Sequence, residues 1–376
     1  MDNSFSVSAF RYHLPPSHQV SIPTLLRIFS STATSYKYLF FIGLLQVLED
    51  TNFSTLHIPL DAILLEMLVT AWYPHSYFRL SFGINDRIAE ELDRLSVETP
   101  RGFISHTELR ARIETCDYRK NNLIHLVPYR LLTPFFPHKL QGRKDAQKNR
   151  DITELAARCF ETIRPFYCFS EDQDSVIMHP AWMLYFSDNL ELVRSFIHWQ
   201  WLDYMQRRNP SVPNLQLKLF PPKTKKPLKK QTDFWRTVLA ENPLPCIFSG
   251  QLMTAEDFSL DHFLPWSFVA HDQLWNLTPV PRSVNSAKFN HLPSLDVYFN
   301  KFASIQYTAL KTYKLLPGTP SFETVVRPYI ADLHLTPDDL LDRTIFHTAL
   351  KRVITPLYAL AASQGFASDW VFNASS

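Results

Sequence analysis

Leu60, Ile63, Leu64, Met67, Leu68 and Ala71 recur at i, i+3, i+4, i+7, i+8 and i+11, which predicts an amphipathic helix starting near Pro59. Ahead of it, the stretch from Ser35 to Leu48 is apolar almost throughout and reads as a buried helix with Ser35 as its cap. Asn85 to Leu95 interleaves Asp, Arg and Glu, as a solvent-facing helix would, and His106 to Ile113 resembles the first half of a small helix-turn-helix. Ser187 to Arg208 reads as one longer helix with Leu190, Val193, Ile197, Trp201 and Tyr204 turned inward. Past the middle of the chain the period shortens. Cys246-Ile247-Phe248 and Phe258-Ser259-Leu260 are short apolar runs separated by Ser249-Gly250 and a polar stretch, the pattern of a hairpin. Trp275 to Val280 alternates and meets Pro281, so a strand is expected there, closed by a short helix from Arg282 to Asn290. Helical patterning returns at Leu295 to Leu316 and at Thr336 to Ala362, with Thr336 as cap, Pro337 at the first helical position and Pro356 as a break or kink.

These patterns predict a mainly α protein with a small α+β module. The expected divisions are a helical region over 1–208, a basic Pro/Lys-rich linker and lead-in helix over 209–240, the module over 241–295, and C-terminal helices over 296–376. The C-terminal helices are expected to fold back on the N-terminal body, leaving the module as an insertion.

Composition sharpens this picture in a few places. The 376 residues are 45% hydrophobic and 20% charged, which describes a well-cored globular chain. Seven glycines against 27 prolines suit helices stopped by proline. A net charge of +2 is too small to announce a nucleic-acid binder, so any grip on a polyanion must come from local patches. Candidate patches are the loop holding Lys139, Arg143, Lys144, Lys148 and Arg150, and the run Lys223, Lys225, Lys226, Lys229 and Lys230. The four cysteines fit no metal or redox spacing, and the apolar run Tyr38–Leu48 spans about half a membrane. With no basic leader before a small-residue cleavage site, the expectation is a cytoplasmic protein with no membrane association. The aromatic residues Trp199, Trp201 and Tyr204 are spaced for helix packing rather than base stacking.

The chemistry is concentrated in LDHFLPWSFVAHDQLWNLTPVPRSVNSAKFNHLP, residues 260–293. It sets Asp261-His262 ahead of Asn276 and Asn285, with Lys288 three residues beyond the second asparagine. An imidazole can take a proton from water near neutral pH, and Asp and Asn oxygens suit a hard cation such as Mg²⁺. Asp261 and His262 would emerge where a strand gives way to a loop, and Asn285 and Lys288 would share the helix face that points back at them.

In spacing, this segment is similar to the HNH endonuclease module, a ββα-metal fold, and above all to the version in RNA-guided CRISPR effectors. His262 and Asn276 are fourteen apart and Asn276 and Asn285 nine, with Pro265, Ser267, Lys288 and Pro293 at matching offsets. The resemblance implies a nuclease with His262 as general base, Asn276 holding the His262 loop and ring, and Asp261 and Asn285 as metal ligands. Lys288 and Arg282 would meet phosphate, with the five lysines from Lys223 to Lys230 tracking the backbone. Where relatives often carry His at the third position this chain has Asn285, which favours Mg²⁺, with Mn²⁺ as substitute. Many relatives also clamp a structural zinc with two Cys-x-x-Cys pairs. Here Cys246 is followed by Ser249 and no second pair appears, so no structural zinc is expected. The leading expectation is a DNA endonuclease serving a prokaryotic anti-phage or restriction system, with DNA and a protein of that system as partners. An HNH-fold DNA-binding or scaffold subunit that no longer cuts, and a metal-dependent ribonuclease, are the alternatives.

Overall fold

A computed structural model describes residues 14–98, 104–119, 123–137, 139–140, 145–221, 227–318 and 320–373. It contains 16 α-helices and only small antiparallel sheets among these residues, so the protein is mainly α with a small α+β part. The chain forms two compact units, 1–210 and 211–376.

In the first unit, α1 (Tyr36–Asp50) lies against α2 (Leu60–Trp72). The contact is close at Gly43, where a Cβ would stand 2.8 Å from the Ile63 carbonyl oxygen, so any side chain there would push the helices apart. The α2 stripe is buried as expected, and so is most of its second face, because further elements cover that side. Glu66, fully buried on α2, is held by Arg110 at 2.9 Å and His106 at 2.8 Å. Ser35 flanks α1, but its hydroxyl makes no capping bond. Its backbone N–H instead donates to Asp86, whose other oxygen accepts from Ile88 N. Three strands, β1 (His57–Pro59), β2 (Tyr167–Phe169) and β3 (Ser175–Met178), form a sheet in the order β1-β3-β2.

The single helix expected over 187–208 is divided. A helix over Pro180–Asp188 ends at Asn189, whose φ of −126° lies outside the helical range and interrupts it before α3 (Leu190–Arg208) begins. Val193, Ile197, Trp201 and Tyr204 face inward on α3, while Trp199 is half exposed.

The second unit has one core. α4 (Lys229–Glu241) leads into the hairpin β4 (Leu244–Pro245) and β5 (Leu252–Met253), and then into the antiparallel pair β6 (Ser259–His262) and β7 (Leu277–Val280). Cys246 to Phe248, expected as a strand, forms the turn of the first hairpin: Gly250 N–H donates to Cys246 O and Cys246 N–H to Gln251 O. These apolar side chains are buried because the turn folds under Tyr298 and Trp370, with Phe248 edge-on to both at 4.9 and 5.3 Å. α5 (Arg282–Lys288) follows Pro281 and stops at Phe289, whose φ of 45° reverses the chain.

α6 (Leu295–Leu315), α7 (Phe322–Leu333) and α8 (Arg343–Ser363) share the module's core instead of leaving it as an insertion. The reason is visible at the C-terminus, where Leu292 and Ser294 donate to the carbonyls of Ala367 and Trp370, and Trp370 N–H donates back to Leu292. α7 was not expected. Its Pro328 masks the pattern, yet Phe322, Val326, Tyr329 and Leu333 are buried at helical spacing. The cap of α8 is Asp342, which accepts from Thr344 and Ile345, and Pro356 lies within the helix without ending it. Thr336 forms a separate turn with Asp339.

Candidate active site

The β6–β7 ladder pairs Ser259 with Val280, Leu260 with Pro279, Asp261 with Thr278 and His262 with Leu277. Asp261 and His262 therefore occupy the last two positions of β6, and the chain returns to them after a loop over 263–276. Asn276 extends the ladder beyond that point. Its backbone carbonyl accepts from Phe263 N–H at 2.8 Å, its Oδ1 from Leu264 N–H at 2.9 Å, and its Nδ2 donates to Leu264 O at 2.9 Å. A fully buried carboxamide satisfied on both sides holds the first two loop residues as a strand partner would.

Asn285 projects from α5 toward β6. Its amide group donates to Ser259 Oγ at 2.8 Å and to Leu260 O at 3.1 Å. A carbonyl only accepts, so the atom facing Leu260 is nitrogen, and Oδ1 is left as the oxygen available to a cation. Asp261 is 4% exposed, and Lys288, fully buried, stands 3.1 Å from Oδ2 and 3.3 Å from Oδ1 while donating to His262 O at 2.6 Å. Burial pushes the Asp261 carboxyl above the ordinary carboxylate range and the Lys288 ammonium below its own, each charge opposing the other's shift. Lys288, expected on phosphate, thus has its ammonium inside the module, bound to the strand that carries Asp261. Arg282 is exposed at the start of α5.

The donor set fits a hard cation. Asp261 Oδ2 receives no well-directed hydrogen bond, and neither does the hydroxyl of Thr278, its partner directly across the ladder. Directly opposed side chains share one face of a ladder, so buried oxygen acceptors are collected on the side where Asn285 lies. One carboxylate and one carboxamide leave most positions of a Mg²⁺ shell to water and phosphate, which is how that ion is commonly held. Among the described residues no cluster of three or more His, Cys, Asp or Glu could bind a metal.

The sequence reading missed Asp272, whose Oδ1 lies 2.9 Å from His262 Nε2. A signal was present, since the loop 263–276 closes on itself and Asp272 is its one carboxylate. The loop is also fastened from outside. Gln231 on α4 donates to Asp272 O at 2.9 Å, Trp275 Nε1 to Asp332 on α7 at 2.6 Å, and Gln306 on α6 to Leu277 O at 2.6 Å. His271 beside it is held down to about 4 by burial and by the neighbouring His262, so it is neutral at ordinary pH.

The far side of the loop rests on Lys218, which donates to Phe268 O, and on Asn214, which donates to Val269 O at 2.8 Å. Burial pushes the Lys218 ammonium down to about 7 from 10.5. Between those values the unfolded chain holds a proton that the folded chain lacks, so stability rises with pH across that window and is flat below it. Denaturant midpoints taken at pH 6, 7 and 9 should therefore rise above pH 7, and Lys218→Met should lose that part of the rise.

Of the expected lysines, Lys229 and Lys230 are exposed in the first turn of α4, while Lys223, Lys225 and Lys226 lie outside the described residues. In the other basic stretch Arg150 pairs with Glu154 at 3.1 Å, and Arg143 and Lys144 also lie outside them.

Residues 246–294 match the family model of HNH endonucleases. This segment is an HNH endonuclease module, and such a module implies a metal-dependent nuclease that binds nucleic acid. No curated protein and no solved structure matches the chain. No helix among the described residues is long and apolar enough to cross a membrane.

Proposed function

We propose that this protein is an endonuclease that hydrolyses phosphodiester bonds in DNA with Mg²⁺ as its cation and His262 as general base. The observation that carries the reading is the meeting of Asp261 and His262, at the end of β6, with the oriented carboxamide of Asn285 on α5. The scissile phosphate would lie across the end of the strand, beside His262 and the cation. His262 takes a proton from the attacking water as its oxygen bonds to phosphorus, and the leaving oxygen is protonated from solvent. Asn276 keeps the residues after His262 in place, and Lys288 holds Asp261 and the His262 carbonyl. Asp261 and Asn285 would hold the Mg²⁺, which supplies charge stabilisation at the phosphoryl oxygens.

Arg282 stands exposed one turn before Asn285 and serves as a phosphate contact. Lys229 and Lys230 are cations at a helix N-terminus, where the helix dipole disfavours them, which suits a role in gripping backbone phosphates rather than in stabilising α4. The proposed setting, an effector of an anti-phage or restriction system working with a protein partner, rests on how such modules are joined to large helical regions elsewhere.

Supercoiled plasmid incubated with the full chain should become nicked or linear with Mg²⁺ or Mn²⁺ and stay intact with EDTA. Intact plasmid with either metal would overturn the enzymatic reading in favour of a binding or scaffold role. Cleavage confined to RNA of the same sequence would overturn DNA as substrate.

A further inference from the structure

His262 has a second carboxylate beside it that is neither its neighbour in sequence nor part of the cation-binding face. Asp272 Oδ1 is 2.9 Å from His262 Nε2. A carboxylate oxygen accepts and does not donate, so the proton between them belongs to Nε2, and in a neutral imidazole the basic lone pair is then at Nδ1. The two groups are differently solvated. The His262 side chain is 9% exposed and that of Asp272 is 26% exposed, so water reaches the carboxylate while it faces a nearly buried ring.

The placement is firm. The carbonyl of Asp272 is held by Gln231, and the following residues by the Trp275–Asp332 bond and the Asn276 clamp. These bonds are made by groups other than the Asp272 carboxylate, so the loop has fastenings besides it.

We propose that Asp272 is the positioning residue of this site: it fixes His262 in the tautomer with its proton on Nε2 and aims Nδ1 at the attacking water. The proposal rests on the endonuclease reading above. As the water oxygen bonds to phosphorus and the bond to the leaving oxygen breaks, the water proton passes to Nδ1. The ring becomes an imidazolium with both nitrogens protonated, and the charge on Asp272 stabilises it through the Nε2–H bond. An equivalent carboxylate in a serine protease triad acts in this way without itself taking the proton.

Asp272→Asn keeps the size and exposure of the side chain but offers an amide that can donate to Nε2, which favours the opposite tautomer. Single-turnover cleavage at saturating DNA and Mg²⁺ should then fall by about 10² or more, while the DNA concentration at half rate stays within about threefold. Asp272→Glu, which restores an acceptor at a longer reach, should recover part of the rate. The readout that a merely structural role would not move is the ¹⁵N spectrum of the His262 ring. It should show Nε2 protonated in the unaltered protein and a shift toward Nδ1 protonation in Asp272→Asn.

A neutral His262 ring that carries its proton on Nδ1 in the unaltered protein would overturn the proposal whatever the variants do. So would an Asp272→Asn protein that cleaves within about threefold of wild type. If the unaltered protein cuts no nucleic acid, the endonuclease reading fails, and the ¹⁵N spectrum still decides whether Asp272 sets the tautomer.

Discussion

His262→Ala is expected to retain at most about a hundredth of the wild-type cleavage rate, since removing a general base commonly loses 10² to 10⁴. The loss should be confined to chemistry. The backbone after His262 is held by Asn276, and the His262 carbonyl still accepts from Lys288. The Asp272 side chain is 26% exposed, so water reaches its carboxylate when the imidazole is removed. The variant should therefore unfold in the same cooperative transition and bind DNA with wild-type affinity. Cleavage close to the wild-type rate would remove His262 from the mechanism.

Asp261→Ala should abolish cleavage and should also damage the fold, which separates it from the His262 variant. Lys288 is fully buried with Asp261 as its counter-charge, and removing one partner of such a pair leaves an uncompensated charge at a cost of about 3–5 kcal/mol. Lys288→Met on its own should be destabilising for the mirror-image reason, since it strands a buried carboxylate. Combining the two changes should regain much of the lost stability and none of the activity, because neither buried charge is then left without its partner. Denaturant midpoints of the wild type, both single variants and the double variant test this coupling. Additive losses would mean that the pair does not interact in the folded protein.

Much of the module was legible in the sequence because its elements are local. The strand-loop-helix from Ser259 to Lys288 is set by short alternation, by Pro281 at a helix entrance and by polar residues at strand ends, all readable within a few positions. The placement of Lys288 was not legible. At one helical turn past Asn285 it reads equally well as a phosphate contact or an internal counter-charge, and only the depth of α5 against β6 decides. The Cys246–Phe248 turn was misread because its apolar residues are buried by Tyr298 and Trp370, which are remote in sequence. Similarly, α7 was hidden by Pro328, and the break at Asn189 by an apolar spacing that continues across it. Burial of the C-terminal helices in the module's core depends on backbone pairing between 292–294 and 367–370, and no periodic pattern announces such pairing.

The loop that carries Asp272 and Asn276 is tied to Gln231, Gln306 and Asp332, side chains supplied by three helices on either side of the stretch that carries the family pattern. The catalytic unit is thus larger than its signature. A graft of residues 246–294 into a foreign scaffold would carry every side chain proposed here as catalytic and leave behind the anchors of the loop. Conversely, α4, α6 and α7 each hold a residue of the chain that returns to His262, so the imidazole's surroundings depend on where those three helices lie.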